Sequence, residues 1–248
     1  MECFSSFRIK LDSQRRFPSM TLTPSFVVDG PIPYVPLFSP HEGYCLTAHL
    51  PTDVHHLPAI VNQPEIKATL GYAEGHMTEE MAQKWIDNVM TGPRFVDYPY
   101  YVIRRIGDLD APSPPIIGFF ALGRENYHCF GDKRPDLIKQ NSLLSPEKAQ
   151  YQLTFFIDGA YQGKGLITAA GRTILRTAPH IRHFPGQLCS AYLSHNVSSQ
   201  RVHRKLGFKT IAIARDVYQG HDALCDVWVG EKDCDKVGTI YSDFEVAP

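Results

Sequence analysis

The segment Tyr151–Thr168, Tyr-Gln-Leu-Thr-Phe-Phe-Ile-Asp-Gly-Ala-Tyr-Gln-Gly-Lys-Gly-Leu-Ile-Thr, constrains this chain more than any other. Its first half is an apolar, aromatic run of strand length, Asp158-Gly159 signals a turn, and Gly163 and Gly165 open a stretch with helical spacing. A helix that starts this way has first-turn N–H groups with no internal partner. Glycines there remove the Cβ atoms that would hold a ligand at a distance, so several amides converge on one anion with the helix dipole behind them. The stretch reads as a site for a phosphorylated ligand, and a ligand-free glycine turn is the competing reading.

Two common phosphate motifs fail on spacing. A P-loop needs four residues between its first Gly and a Gly-Lys-Ser/Thr. Here three residues separate Gly159 from Gly163, and Lys164 is followed by Gly165, which leaves no hydroxyl for magnesium. The dinucleotide-binding fingerprint needs a third glycine where this chain has Thr168. Gln162-Gly163-Lys164-Gly165-Leu166-Ile167 instead resembles the Gln/Arg-x-x-Gly-x-Gly/Ala pyrophosphate loop of the GNAT superfamily of acetyl-CoA-dependent N-acetyltransferases. Downstream, Asn196-Val-Ser-Ser199-Gln-Arg-Val202, followed by Lys205-Leu206-Gly207-Phe208, resembles the second signature of that superfamily, in the branch of the ribosomal-protein N-acetyltransferases. Two ordered motifs about thirty residues apart are far more specific than either alone.

The resemblance implies an α/β (α+β) fold: one acyltransferase domain over residues 44–231, with a mixed, mostly antiparallel central sheet flanked by helices. Residues 1–43 carry Pro18, Pro24, Pro31, Pro33, Pro36 and Pro40 and read as an extended arm, because proline fixes φ and removes a donor. Residues 232–248 form a C-terminal tail. Strands are expected at Tyr44–Leu50, Tyr100–Ile106, Ile116–Leu122 and Gln187–Leu193, with a closing hairpin of Thr210–Val217 and Ala223–Val229 turning at Gly220. Thr52 or Asp53 caps a first helix that Pro64 stops or kinks, and Asn62-Gln-Pro-Glu65 stands where the branch has Asn-Asp-Pro-Glu. Thr78, Glu79 and Glu80 open a second helix, with Met81, Trp85, Ile86 and Val89 as its buried stripe. Leu166–Arg176 forms the helix behind the glycine loop, and Ala169, Ala170 and Gly171 let it approach the sheet closely.

Residues 124–149 form a long polar insertion containing Gly131, Pro135 and Pro146, and loops of this length tend to be functional. It is a candidate acceptor-site flap. His128 and Cys129 within it make a poor catalytic pair, since neighbours on a loop rarely face each other and no third orienting group is evident.

A net charge of −1 gives no broad field for steering toward nucleic acid. Six cysteines without a Cys-x-x-Cys pair or zinc-like spacing suggest reduced thiols and no metal site. No stretch is long and apolar enough to be a membrane span or a secretory signal, so a cytoplasmic protein with no membrane partner is expected, as a monomer or homodimer.

For the site, the resemblance implies that Gln162, Gly163, Lys164, Gly165, Leu166 and Ile167 hold the pyrophosphate of acetyl-CoA, mainly through backbone amides. Amides near Phe156 and Ile157 would pair with the pantetheine arm and polarise the thioester carbonyl. Asn196 and Ser199 border the cofactor, Asn196 as a positioning group and Ser199 as general acid toward the leaving sulfur, although both also satisfy a plain N-cap motif. The acceptor is a primary amine of a protein N-terminus or a small molecule. The chain departs from the family in two places. Ile167 replaces a small residue, and Gln152 stands where a glutamate base is often found; an uncharged amide cannot take a proton. The alternative is a catalytically silent acyl-CoA-binding or interaction module on the same fold.

Overall fold

A computed structural model describes residues 27–69, 75–91, 98–127, 132–145, 148–181, 187–218, 220–229 and 242–245; His128 and Cys129 lie outside them. Its strands are β1 (Tyr34–Pro36), β2 (Tyr44–Thr47), β3 (Val102–Arg105), β4 (Gly118–Arg124), β5 (Gln150–Ile157), β6 (Gln187–Leu193), β7 (Phe208–Tyr218), β8 (His221–Trp228) and β9 (Ser242–Glu245). They form one sheet in the order β1-β2-β3-β4-β5-β6-β8-β7-β9. The pairs β5–β6 and β7–β9 are parallel and the others antiparallel.

Period-two alternation sends the side chains of each strand to opposite faces. On β4, Phe120 and Leu122 join one core cluster and Phe119 and Ala121 the other. The first cluster is covered by helix α5 (Leu166–Ile181), with Leu206 from the end of α6 (Val197–Lys205). The second is covered by α1 (Asp53–Val61), the single turn α2 (Pro64–Lys67) and α3 (Glu79–Thr91). On α3, Ala82, Ile86 and Val89 are buried at helical spacing, and the Thr78 hydroxyl accepts the Met81 N–H at 3.3 Å. Met81 itself is 44% exposed, so the expected stripe loses that member. Trp85 keeps its place, edge-on to Phe119 at 4.8 Å between ring centroids.

Asp53 does not act as the simple cap that its position suggests. Its Oδ1 accepts from Arg104 on β3, and its Oδ2 accepts from the Leu50 N–H at 3.0 Å and His49 Nδ1 at 2.8 Å. Arg104 is fully buried and donates further to Thr47 Oγ1 and the Pro114 carbonyl. A buried guanidinium needs that full set of acceptors, and the network ties α1 to β2 and β3.

Three elements depart from the sequence expectation. The proline-rich arm contributes β1, where Pro36 is tolerated because an edge strand has a side with no partner. The C-terminal tail adds β9 beside β7. The insertion holds a helix, α4 (Arg134–Ser142), with Pro135 in its first turn, where a missing N–H costs nothing. Asn141 of α4 exchanges hydrogen bonds with the backbone of Gln150 at the start of β5. Among the described residues no helix is long and apolar enough to cross a membrane.

Helix α5 approaches the sheet as closely as its small residues suggested. A Cβ on Gly171 would lie 2.7 Å from Leu206 Cδ1 and 2.9 Å from Phe120 Cζ, and Leu206 and Phe120 are themselves fully buried. Gly171→Val should therefore destabilise the fold by about 1–3 kcal/mol through overpacking. A lower urea midpoint at unchanged m-value would show this; an unshifted midpoint would mean the interface is looser than described.

Candidate functional site

The site is made where two parallel strands part. β5 and β6 pair only from Gln150–Gln187 to Gln152–Cys189, although β5 continues to Ile157 and β6 to Leu193. Beyond the last pair the two strands no longer share a ladder. Ligands of α/β sheets settle outside the carboxyl ends of parallel strands, where the helices that follow them begin. Here β5 leads to the glycine loop and α5, and β6 leads to Asn196 and α6.

Which backbone groups face the opening follows from register. β4 and β5 pair without a bulge from Gly118–Ile157 to Arg124–Tyr151. The Asp158 N–H reaches the Ile117 carbonyl, and the Phe156 carbonyl is directed at Gly118. Amides alternate along a strand, so Phe156 spends its groups on β4, while Phe155 and Ile157 turn theirs toward the gap. Of the two expected positions, Ile157 has its backbone groups on the β6 side and Phe156 has them on the β4 side; Phe155 shares the orientation of Ile157.

At the mouth, a single 3-10 turn at Gly159–Tyr161 starts the loop, with Asp158 Oδ1 accepting the Ala160 N–H at 2.9 Å. Gln63 of the Asn62-Gln-Pro-Glu65 motif accepts the Gly159 N–H at 2.9 Å. Gly163 and Gly165 have φ of 74° and 79°, a conformation that strains other residues. The Ala169 N–H makes the first α5 bond, to the Gly165 carbonyl, which leaves the amides of residues 166–168 at the helix start without an intrahelical acceptor. Gln162 and Lys164 are exposed, with the Lys164 ammonium 4.9 Å from the Tyr161 ring centroid. Leu166 and Ile167 send their side chains into the core. Bulk at position 167 consequently takes no room from the loop.

Helix α6 lies beneath the opening and touches both of its sides. The His203 ring is 5.3 Å from Phe155 of β5 and stacks 4.6 Å from Tyr192 of β6. Its Nε2 is 2.7 Å from Ser190 Oγ, and its Nδ1 is 2.9 Å from the Ser199 carbonyl and 3.3 Å from Ser199 Oγ. A carbonyl only accepts, so Nδ1 carries the proton and Nε2 accepts from Ser190. Burial lowers the His203 pKa to about 4, against the Ser199 backbone bond that raises it, so the ring is neutral near pH 7. With its Nδ1 protonated, His203 cannot take the Ser199 proton, and the pair is no nucleophilic dyad. Asn196 is the N-cap of α6, its Oδ1 accepting the Ser199 N–H at 2.9 Å.

Gln152 is buried at the closed end, opposite Gly123 and Cys189. Beside it the sequence reading missed Glu125. Its Oε1 accepts the Asn126 and Tyr127 N–H groups, and its Oε2 accepts from the Cys189 thiol at 3.0 Å. No sequence pattern marks Glu125, because its place depends on strand pairing. α4 joins β5 at this same closed end, away from the glycine loop.

A family model described as the acetyltransferase (GNAT) domain matches residues 45–209, about two thirds of the chain. The chain belongs to the GNAT acetyltransferase family. The GNAT fold is also seen in the apo structure of RimL, the ribosomal L7/L12 alpha-N-protein acetyltransferase. That structure is 12% identical, with a TM-score of 0.55 over 81% of this chain and 98% of RimL. A GNAT-family acetyltransferase from Bacillus anthracis is 13% identical, with a TM-score of 0.56 over 80% of this chain and 99% of its own. The microcin C7 self-immunity acetyltransferase MccE, in complex with acetyl-CoA and AMP, is 11% identical, with a TM-score of 0.52 over 75% and 92%. No curated protein sequence matches the GNAT chain significantly.

On the same sheet face as His203, Tyr192 donates to Asp226 Oδ2 at 2.9 Å, while Asp226 Oδ1 has no hydrogen-bond partner among the described residues. Burial pushes Asp226 up to about 6, against hydrogen bonds from Thr210 and Tyr192 that pull it down. An acid whose folded pKa lies above its unfolded value binds extra protons in the folded state, so this group costs stability as pH rises from about 4 to about 6. Asp226→Asn, which mimics the protonated acid, should be more stable than the parent by about 3 kcal/mol at pH 7.5 and nearly equal at pH 4. Urea titrations at both pH values test it, and no gain at pH 7.5 would contradict the assignment.

Proposed function

We propose that the chain transfers the acetyl group of acetyl-CoA to a primary amine, on a protein N-terminus or a small molecule, by direct attack in the cleft between β5 and β6. The observation that carries this reading is the loss of β5–β6 pairing beyond Cys189, with the glycine loop at the mouth of the gap. The pantetheine arm is itself a chain of amides, and the groups of Phe155 and Ile157 facing the gap match it as a neighbouring strand would. The loop amides of residues 163–167 and the start of α5 suit a pyrophosphate.

Acetyl-CoA supplies an activated thioester, and the residues of this chain orient and stabilise. The amine nitrogen bonds to the thioester carbon, the C–S bond breaks, and the sulfur leaves with the electron pair. Backbone N–H groups of β5 stabilise the developing oxyanion. Ser199 is the proton donor to the sulfur; because His203 Nδ1 is itself a donor, the Ser199 hydroxyl hydrogen is available for this task. Asn196 holds the Ser199 turn in place through its cap. Gln152 takes no proton, and the Glu125 oxygens accept two backbone amides and a thiol, so the amine proton passes to water. On this reading the described helix of the insertion, α4, is not a flap, since Asn141 ties it to β5 at the closed end. Cys45, Cys189 and Cys225 are free thiols, which suits a reducing, cytoplasmic setting.

The Gln152 substitution favours one alternative, a module that binds acyl-CoA without turnover. Calorimetric titration with acetyl-CoA, and with ATP and NAD as controls, should give selective micromolar binding, about −8 kcal/mol. Gly165→Glu, with a side chain in the loop and an unfavourable φ, should abolish binding while the fold survives with a somewhat lower melting temperature. Intact binding would remove the loop assignment, and binding without amine-dependent thiol release from an acceptor panel would favour the silent module. Ser199→Ala should lower kcat about 100-fold with little change in acetyl-CoA affinity; an unchanged kcat would remove Ser199 as the acid.

A further inference from the structure

The match to the family ends short of the N-terminal arm, yet that arm reaches the glycine loop. Between β1 and β2 the chain closes on itself, with the His41 N–H bonded to the Phe38 carbonyl and the Tyr44 N–H to the His41 carbonyl. The tip of this hairpin lies on α5 and its loop. Phe38 sits under the Arg176 guanidinium at 5.1 Å, and His41 Nε2 is 2.8 Å from the Lys164 carbonyl. The His41 ring is also the nearest group to Gly165, 3.5 Å from where a Cβ would stand.

We propose that His41 is a positioning residue for the anion loop, fixing the Lys164–Gly165 peptide so that the Gly165 N–H faces the pyrophosphate. The argument is geometric. A carbonyl only accepts, so His41 donates from Nε2. In a trans peptide the C=O and N–H point in opposite directions. Pinning the Lys164 carbonyl to His41 therefore turns the Gly165 N–H away from the arm, toward the other side of the loop. Position 165, like 163, has a positive φ and no side chain to hold its peptide plane, so a hydrogen bond to that plane is needed to fix it. An amide oriented before the ligand arrives spares the ordering cost that a free loop would incur on binding.

The proposal rests on the loop being the pyrophosphate site, and its test separates the two. Acetyl-CoA affinity is measured by calorimetry for the parent, His41→Phe and His41→Gln. Phenylalanine keeps the ring and loses the donor, whereas glutamine places an N–H at nearly the reach of Nε2. The expected result is about five-fold weaker binding for His41→Phe, the loss of one hydrogen bond, with His41→Gln within two-fold of the parent. S-acetyl-pantetheine, which lacks the pyrophosphate, serves as truncated donor in thiol-release assays. Its kcat/KM should fall less than that of acetyl-CoA in His41→Phe. Equal affinity in His41→Phe, an equal loss for the truncated donor, or no rescue by glutamine overturns the proposal. A parent protein that binds no acetyl-CoA overturns the functional reading instead. Should His41→Phe not fold, the parent labelled with ¹⁵N-histidine gives the answer. A His41 Nε2–H resonance that shifts and stays protected when acetyl-CoA is added supports the role, and one that is absent or unmoved refutes it.

Discussion

The separation of β5 from β6 is the constraint around which the rest is arranged. Two parallel strands side by side would satisfy one another's N–H and C=O groups. Here they stop after three residue pairs, and Phe155 and Ile157 are left facing a gap. An unpaired backbone group away from water costs on the order of 1–3 kcal/mol, so a sheet keeps such a break only where something else holds it. What holds it is visible below the gap: His203, its ring against Phe155 on one side and Tyr192 on the other, and fixed by Ser190 and Ser199 at its two nitrogens. Its neutral state follows from that burial, since a charged imidazole would lack a counter-ion there.

The opposite face is built differently. Arg104, Asp53, His49 and Thr47 form a buried polar knot beneath α1, and His49 stands edge-on to Trp85 and Tyr101, with centroids 5.4 Å away in each case. Around the carboxylate, burial alone would raise the Asp53 pKa, and hydrogen bonding from His49 together with the Arg104 charge reverses it to below the ordinary value. Such a network contributes less to net stability than to uniqueness of arrangement, because both ions must first be desolvated. It fixes α1 against β2 and β3, so this half of the sheet stays closed while the pairing of β5 with β6 ends early.

Much of this was legible in the sequence, and the reason is local. The strand, glycine turn and helix at Tyr151–Thr168 carry their own instructions in alternation, positive-φ glycines and helical spacing, as does the Asn196 cap of α6. What stayed hidden depends on contacts between distant segments. β1 and β9 are edge strands made by pairing, and neither three residues around a proline nor a short tail announces a partner. Asp53 has the sequence signature of a cap, but Arg104, brought in by β3, claims it. Which amides of β5 face the gap is a matter of register with β4, invisible until Phe119 is set opposite Phe156. Glu125 meets Cys189, and His203 meets Ser190, only once the sheet has assembled.

The absence of a carboxylate at position 152 bears on how such a site could work. General base catalysis is worth about 10²–10⁴-fold, whereas well-oriented approach and a preorganised oxyanion site can supply more. An amine that is neutral on arrival needs no base for its attack, only a route by which its proton can leave afterwards. The buried Gln152 amide cannot receive that proton, and Glu125 is committed to backbone amides and a thiol. The burden then falls on positioning by backbone groups: the odd amides of β5, the start of α5 and the loop that precedes it. These are the groups that strand pairing, helix geometry and the N-terminal arm hold rigid, so loss of one ionisable side chain is compatible with retention of the whole cleft.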